Sequence, residues 1–425
     1  MKTSGLHSSP SRPRPGARMT TTSCLQNDQL LERFQALDRF LAQHQPLWHP
    51  RPFTHLRLAW EDEHPALSHW LRQRTLEQAE SPETPEAPAP FPQLAAEAAQ
   101  LSAIGELPDA GLHPAGHRLD VGVPGRKWQQ IEAFSRRLAF SQPARHWLDW
   151  CSGKGHLGRR LLQPGQRLTC LEYDAKLVSA GKALSEHHHL RAAHVHQDVM
   201  AADSARHLDG DKSVVALHAC GDLHVRLMQL ASQQGCRQIA VAPCCYNRIQ
   251  DQAYQPLSGA ARASSLALTQ EDLGLPLSEA VTSSLRTRRQ RDSSMARRLG
   301  FDLLQRQQRG IDDYLPTPSL PVSWLAKPFE QYCRDLAELK QVMISGNPDW
   351  ASLEAAGQRR LAEVRNLERV RNLFRRPLEM WLVLDRALFL QEQGYAVRVG
   401  VFCDYPLTPR NLLLLGERDT APQRS

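Results

Sequence analysis

The stretch Trp147-Leu148-Asp149-Trp150-Cys151-Ser152-Gly153-Lys154-Gly155-His156-Leu157-Gly158 constrains this chain more than any other. It reads as a buried β-strand that breaks into a glycine loop and opens a helix. A Cβ in such a loop holds the backbone away from a ligand, and the amides of the following helix N-terminus point into the loop. A second strand, Arg167 to Glu172, ends on an acid placed to accept hydrogen bonds from both hydroxyls of a ribose. Loop and acid together predict an adenosine site built from Asp149, Cys151, Ser152, Gly153, Gly155 and Glu172.

Gly153, Gly155 and Gly158 satisfy the Gly-x-Gly-x-x-Gly spacing of dinucleotide folds. The order of acids argues for another cofactor. A third strand, His194 to Val199, carries Asp198, placed to accept from an adenine amino group, with Val199 beside it and His218 at the end of the fourth strand. Acids after strands one, two and three look like S-adenosylmethionine-dependent methyltransferases rather than dehydrogenases. The plain alternative is a glycine turn in an ordinary α/β protein.

Strand and helix alternate from Arg145 to Tyr246, which implies a parallel sheet with helices on both faces. Strands four and five are Ser213 to His218 and Gln238 to Ala242. After Asn247 the alternation stops, and an apolar helix and two β-runs return only at Leu378. The expected fold is therefore an α/β, Rossmann-like, seven-stranded sheet with a helical insertion after strand five. The division along the chain is a disordered basic tail (1–18), a small helical region (19–80), a Pro-rich linker (81–92), the first part of the sheet domain (93–247), an arginine-rich helical insertion (248–376), and the last helix and strands (377–418).

Composition sets the outer limits. A length of 425 residues with 41% hydrophobic residues suits a soluble protein with a large core. No apolar run approaches the roughly 18 residues needed to cross a bilayer. Met1 to Arg18 is rich in Ser, Pro and Arg without an apolar stretch, unlike a secretory signal, and Met19 is an alternative start. Nine scattered cysteines, an odd count, fit reduced thiols and a cytoplasmic location. No obligate protein partner is evident.

In a doubly wound sheet the first, fourth and fifth strands are neighbours, so Cys151, His218 to Asp222, and Pro243 to Asn247 converge on one crevice. Three readings compete. Cys220, Cys244, Cys245 and His218 are soft ligands for zinc, but adjacent cysteines rarely both face one ion and no Cys-x2-Cys pair exists, so no metal is assigned. Cys244 after a proline is a candidate nucleophile for C6 of a pyrimidine, activating C5 for methylation. In the third reading the cysteines shape the floor while Tyr246, Asn247, Asp222 or His218 orients the acceptor, since methyl transfer needs little beyond proximity and a base. The run His187-His188-His189, with His194 and His196 nearby, is read as a solvated loop.

The formal charge of +7 and pI near 9.0 favour polyanionic partners without requiring them. Arginine clusters in the insertion, at positions 286, 288, 289, 291, 297, 298 and at 359, 360, 365, 369, 371, 375, 376. In the second cluster Leu361, Val364, Leu367, Val370 and Phe374 recur at helical spacing, so one face packs and the rest offers guanidinium groups. Such a surface beside a catalytic crevice suits an RNA backbone. A solvated helix laced with pairs such as Arg359 with Glu363 and Glu368 with Arg371 is the competing reading.

The blocks Leu148 to Gly158, Ala216 to Leu223, Pro243 to Tyr246, Leu384 to Gly394 and Pro409 to Asn411 give the chain a resemblance to methyltransferase-like proteins. These are related to the eukaryotic tRNA 2′-O-methyltransferases of the acceptor stem and to the glutathione-S-transferase C-terminal-domain-containing protein. The resemblance implies a class I methyltransferase fold, with S-adenosylmethionine at Asp149, Gly153, Gly155, Glu172 and Asp198. Two departures stand out. Cys151 occupies the position of the loop's usual first glycine, and Met1 to Arg126 holds only Cys24, so the zinc-binding N-terminal segments of the tRNA enzymes have no counterpart. The expected activity is S-adenosylmethionine-dependent methyl transfer to RNA. The alternatives are a protein or small-molecule acceptor, or a catalytically degenerate RNA-binding module.

Overall fold

The computed structural model describes residues 23–81, 83–116, 118–278 and 285–418. The expected basic tail, the alternative start at Met19 and Pro82 of the expected linker lie outside the described residues. The chain begins with β1 (Leu25–Gln26), α1 (Asp28–Gln43), α2 (Gln45–Trp48), α3 (Trp60–Glu63), α4 (Pro65–Arg72), α5 (Leu76–Glu80), α6 (Phe91–Ser102) and α7 (Gly125–Arg136). Strand and helix then alternate through β2 (His146–Trp150), α8 (His156–Leu161), β3 (Arg167–Glu172), α9 (Ala175–His187), β4 (Ala192–His196), β5 (Lys212–Cys220), α10 (Asp222–Gln233) and β6 (Gln238–Cys244). The remainder is α11 (Gly259–Arg262), α12 (Leu285–Arg309), α13 (Phe329–Leu339), α14 (Trp350–Asn372), α15 (Arg375–Glu392), β7 (Ala396–Val401) and β8 (Leu412–Glu417).

One sheet runs β1-β7-β8-β6-β5-β2-β3-β4. β2 to β6 are mutually parallel, while β8 is antiparallel to both β6 and β7. All five residues of β2 are buried, as a central parallel strand covered on both faces requires. The Rossmann-like expectation holds, with eight strands rather than seven. The extra one is β1, whose Leu25 and Gln26 pair with Val399 and Arg398 and cover an edge that would otherwise present unpaired backbone groups.

The two sheet faces bury different partners. On one, Leu148, Trp150, Val214, Ile239, Val397 and Leu414 join α1 and α15 in a single core. On the other, Trp147, Leu168, Val215, Ala240 and Leu413 meet Ile131 and Phe134 of α7 and Leu157 and Leu161 of α8. Helix α15 is buried on nearly every side and carries three polar groups into that core, Glu379, Asp385 and Arg386. Asp385 accepts from Tyr254 Oη at 2.5 Å and from the amides of Leu257 and Ser258 at 3.0 and 2.7 Å. Arg386 donates to His224 Nε2 at 2.8 Å, to Leu382 O at 2.7 Å and to Tyr254 Oη at 3.1 Å. Guanidinium only donates, so Nε2 of His224 is an acceptor and its proton sits on Nδ1, which donates to Ala219 O at 2.9 Å. Burial and the neighbouring Arg386 cation push the His224 imidazolium down to a pKa of about 3, keeping the ring neutral.

The predicted insertion differs from the structure in two respects. Residues 248–278 hold only short helical pieces, α11 and a 3-10 turn at Asp272–Leu277. Between them and β6 the chain is pinned to Asp385 of α15, which accepts from the Leu257 and Ser258 amides. The helices α12 to α14 follow, and α12 and α14 pack against the N-terminal segment. Ala296, Leu299, Leu361 and Val364 bury a joint α12–α14 seam onto which Phe53 and Leu76 fold. The predicted Pro-rich linker ends early, because Phe91-Pro92 starts α6 with proline in the first turn, where its missing N–H costs nothing.

Arginine fastens this joint. Arg72 grips Glu61 with a two-pronged contact at 2.6 and 2.8 Å and reaches Glu363 of α14 at 3.1 Å. Arg360 donates to Pro52 O at 2.6 Å, to His55 O and to Glu363, and Arg371 donates to Trp48 O at 2.7 Å. Burial alone would raise the Glu61 carboxyl. Hydrogen bonds from Arg72, Ser68 and the Leu58 amide outweigh it and hold the group at about 2.

Two predictions follow from these networks. Replacing Arg386 by Met leaves His224 and Tyr254 without their donor and is expected to cost about 3–5 kcal/mol in urea unfolding at neutral pH. Glu61 has a folded pKa below its unfolded one, so its contribution is complete above pH ~4.5 and disappears as pH falls toward ~2. Glu61→Gln is expected to flatten that acid limb of a stability-versus-pH curve, by about 3 kcal/mol at full span.

Candidate active site

The carboxyl ends of β2, β3 and β4 open on a cleft of about 340 Å³ lined by Cys151, Glu172, Tyr173, Gln197, Asp198, Val199 and Leu223. That volume lies within the range of small-molecule sites. Glu172 sits at the end of β3, where Oε2 accepts from Gly153 N at 2.8 Å and Oε1 from Asp174 N at 3.0 Å. A carboxylate has about four lone-pair sites, so two remain for ligand hydroxyls. Gly153 has φ +58°, and nothing lies within 4 Å of where its Cβ would be. The loop thus leaves room for a ligand on the side that a side chain would fill. Asp198 is exposed beyond the end of β4 and accepts from Met200 N at 2.9 Å, while Val199 is buried beside it.

The other predicted loop residues position the cleft. Asp149 is buried and accepts from Gly158 N at 2.9 Å, tying β2 to the first turn of α8. Ser152 donates its amide to Leu171 O at 2.9 Å, and its buried hydroxyl has no hydrogen-bond partner among the described residues. Gly155 is the left-handed residue before α8. Cys151 has φ +56°, the conformation for which related loops use glycine, and its thiol lines the cleft. Burial, then the charges of Glu172 and Asp149, push that thiol up to about 12, so it is an inert wall group. His218, expected to contact cofactor, is not among the cleft residues. It lies exposed with φ +71° and its Nε2 meets Gln130 Oε1 at 2.9 Å. His194, half-buried, packs over Gly155 and Gly181 and meets Ser185 Oγ at 2.9 Å, a packing role that the histidine-run pattern concealed.

At the ends of β5 and β6 the predicted acceptor-side residues separate. Tyr246 is fully buried, its hydroxyl facing Pro243 O at 3.3 Å and Glu379 at 3.4 Å, and it cannot orient an acceptor. Asp222 accepts from Gln250 N at 2.8 Å and lines a different cavity, of about 400 Å³, with Arg226 and Tyr254. Asn247 is half-buried, and its carbonyl accepts from Gln270 at 3.0 Å. The cysteines, by contrast, come together: the sulfurs of Cys220, Cys244 and Cys245 all lie within 4.8 Å of one another. Adjacent residues of a strand point to opposite faces. Cys245 escapes that rule through a left-handed φ of +48°, which turns its side chain to the side that Cys244 occupies. Hydrogen bonds from Cys220 and Cys244, then Arg248 and Arg410, draw the Cys245 thiol well below its usual range, while Cys244 is driven far above it as the donor. The candidate nucleophile Cys244 is thus a buried member of a three-thiol cluster rather than an isolated cysteine.

Asp149 gives a pH signature for this site. Burial raises its carboxyl to about 7 despite the Gly158 amide. The folded protein then retains a proton that the unfolded chain releases, so this group makes stability fall as pH rises from ~4 to ~7, by roughly 4 kcal/mol in all. Asp149→Asn is expected to remove that slope, matching the parent near pH 4 and exceeding it at pH 8 in denaturant titrations.

Residues 126–252 match the family model Methyltransf_32, described as a methyltransferase domain. No curated protein matches the chain. Among solved structures, the T. thermophilus 16S rRNA N2 G1207 methyltransferase with AdoMet and guanosine is 20% identical, covering 28% of this chain and 35% of its own at TM-score 0.23. Coclaurine N-methyltransferase bound to N-methylheliamine and SAH is 12% identical over 50% of this chain and 61% of its own, at TM-score 0.23. Mitomycin 7-O-methyltransferase is 16% identical over 50% and 76%, at TM-score 0.22. This chain spans about a third of the length of the first of these. Over residues 126–252 the chain is similar to the methyltransferase-domain family, and the cleft lined by Glu172 and Asp198 lies within that stretch.

Proposed function

We propose that this protein transfers a methyl group from S-adenosylmethionine to RNA. The observation that carries the cofactor half is Glu172, which braces the glycine loop through Gly153 and turns its remaining lone pairs into the cleft. In this reading Glu172 holds the ribose, Asp198 the adenine amino group, and Val199 and Leu223 the faces of the base. Asp149 and Ser152 hold the loop in shape from behind. Bound S-adenosylmethionine supplies a sulfonium-activated methyl group. The protein's part is to fix the acceptor in line with it and keep water out.

The RNA half rests on the arginine surface, now reduced in extent. Arg360, Arg369, Arg371 and Arg376 donate to carbonyls or acids within the protein, so most of the second cluster acts as internal fastening. In the first cluster, Arg297 and Arg298 are likewise bound to Lys327 O and to Thr317 and Pro318. Arg286, Arg288, Arg289 and Arg291 are exposed. Arg288 and Arg291 open onto a cavity of about 690 Å³ shared with Arg365, Arg369 and Arg375. Arg375 begins α15, and one turn further on Glu379 touches Tyr246 at the strand ends. Guanidinium groups along such a cleft suit successive phosphates.

Calorimetric titration with S-adenosylmethionine and S-adenosylhomocysteine is expected to give micromolar binding, weakened at least tenfold by Glu172→Ala; no binding to either would sink the cofactor reading. With binding established, radiolabelled methyl transfer to total RNA is expected to fall at least tenfold in an Arg288→Ala/Arg291→Ala variant, with cofactor affinity unchanged. Label entering protein or small molecules while RNA stays unlabelled would overturn the RNA assignment.

A further inference from the structure

We propose that Cys220, Cys244 and Cys245 bind one thiophilic cation of the zinc class through three thiolates, leaving one coordination position for an exchangeable ligand. The three sulfurs lie within 4.8 Å of one another, and those of Cys220 and Cys244 are 3.6 Å apart. Zinc–sulfur bonds of about 2.3 Å in a tetrahedron put neighbouring sulfurs ~3.8 Å apart. The observed spacing is near that edge and well outside the ~2.05 Å of a disulfide. Only thiols make up the group, which selects a soft or borderline cation over calcium or magnesium.

The backbone holds this arrangement in place without an ion. A register shift between Leu217 and Cys220 brings Cys220 opposite Cys244 across parallel strands. Cys245 joins them through its left-handed conformation. Gly221 then lets the following loop close down, since a Cβ there would stand 1.9 Å from Arg248 O. Gly221 N donates to Cys244 O, Asp222 N to Arg248 O, and Arg248 N to Cys245 O, at 3.1, 3.0 and 2.9 Å. Both loops are thus closed on themselves around the sulfurs. From below, the Arg386–His224 relay fixes Ala219 O.

Charge and access agree with this assignment. Three thiolates and a divalent ion carry a net charge of −1, and Arg248 and Arg410 act electrostatically on Cys245 from the protein side. Cys244 is buried while Cys220 and Cys245 are half-buried, so a fourth ligand reaches the ion from outside. β5 lies between β2 and β6 in the sheet, so Cys220 ends the strand next to the one that leads into Cys151 and its cleft. Three protein ligands plus an open position is the pattern of zinc sites that activate a bound nucleophile by lowering its pKa. This assignment does not depend on the RNA reading, and cofactor titration is scored separately from metal.

The test is Co²⁺ titration of the reduced, chelator-treated full-length protein, followed by absorption. A single equivalent with sulfur-to-cobalt charge-transfer bands is expected, displaced by one equivalent of Zn²⁺, together with protection of the three thiols from alkylation. Cys220→Ser, Cys244→Ser and Cys245→Ser are each expected to weaken Co²⁺ binding at least tenfold, with Cys151→Ser unchanged. Replacing His187, His188 and His189 together by Ala is expected to leave the sulfur bands intact, which separates the site from adventitious binding by that run. The proposal is overturned if folded parent protein, verified by circular dichroism, shows no sulfur bands or alkylates equally fast with and without Zn²⁺. Recovery of a Cys220–Cys244 disulfide from protein that takes up no metal overturns it equally.

Discussion

A guanidinium in the centre of a protein has to find an acceptor for its donors or cost several kcal/mol. Arg386 meets that demand with His224, Tyr254 and Leu382 O, and the solution dictates much else in the molecule. It fixes the tautomer of His224 and through it the carbonyl of Ala219, at the turn that bears Cys220. Tyr254, held also by Asp385, draws the chain after β6 back across α15. The two loops at the ends of β5 and β6 are therefore placed from beneath by one helix of the last third of the sequence. Their rigidity is a consequence of the core.

The arginine-rich helices repeat the principle at lower dielectric cost. A long guanidinium side chain reaches several carbonyls at once, which suits it to joining segments that have no regular element in common. Arg360 does so for the irregular stretch around Pro52 and His55, and Arg369 for the end of α5 and the residues after it. Net charge then says little about surface. Within the two arginine clusters the exposed groups are Arg286, Arg288, Arg289 and Arg291 in the first turns of α12 and Arg359 of α14.

The sheet was legible because its strands announce themselves twice, by apolar runs and by the acids that end them. Glu172 and Asp198 sit where that pattern places them, at the cleft. What sequence could not supply was direction. Tyr246 follows the cysteines in the same motif and yet points into the core, where Glu379 and Pro243 hold its hydroxyl. Asp222 starts a helix and turns to a different cavity. Cys245 faces Cys244 only because of a left-handed backbone, which a strand-based reading of adjacent residues excludes. The joint between the N-terminal helices and α14 was equally hidden, since the residues that make it, Arg72 and Glu363, are 291 positions apart. Periodicity reports local order and is silent on such pairings.

The eighth strand bears on how the chain comes to be folded at all. β1 pairs with β7, and α1 packs on α15, with Trp381 Nε1 donating to Asp38 at 2.8 Å. The first described elements thus have partners far along the chain, 343 positions on in the case of Asp38 and Trp381. At ribosomal speeds of about 5–20 residues per second, the apolar face of α1, with Leu30, Phe34, Leu37 and Phe40, waits on the order of tens of seconds for its binding surface. During that interval the nascent chain presents an amphipathic helix to the cell before it has a sheet to cover, and folding becomes a ring closure between segments far apart in the sequence.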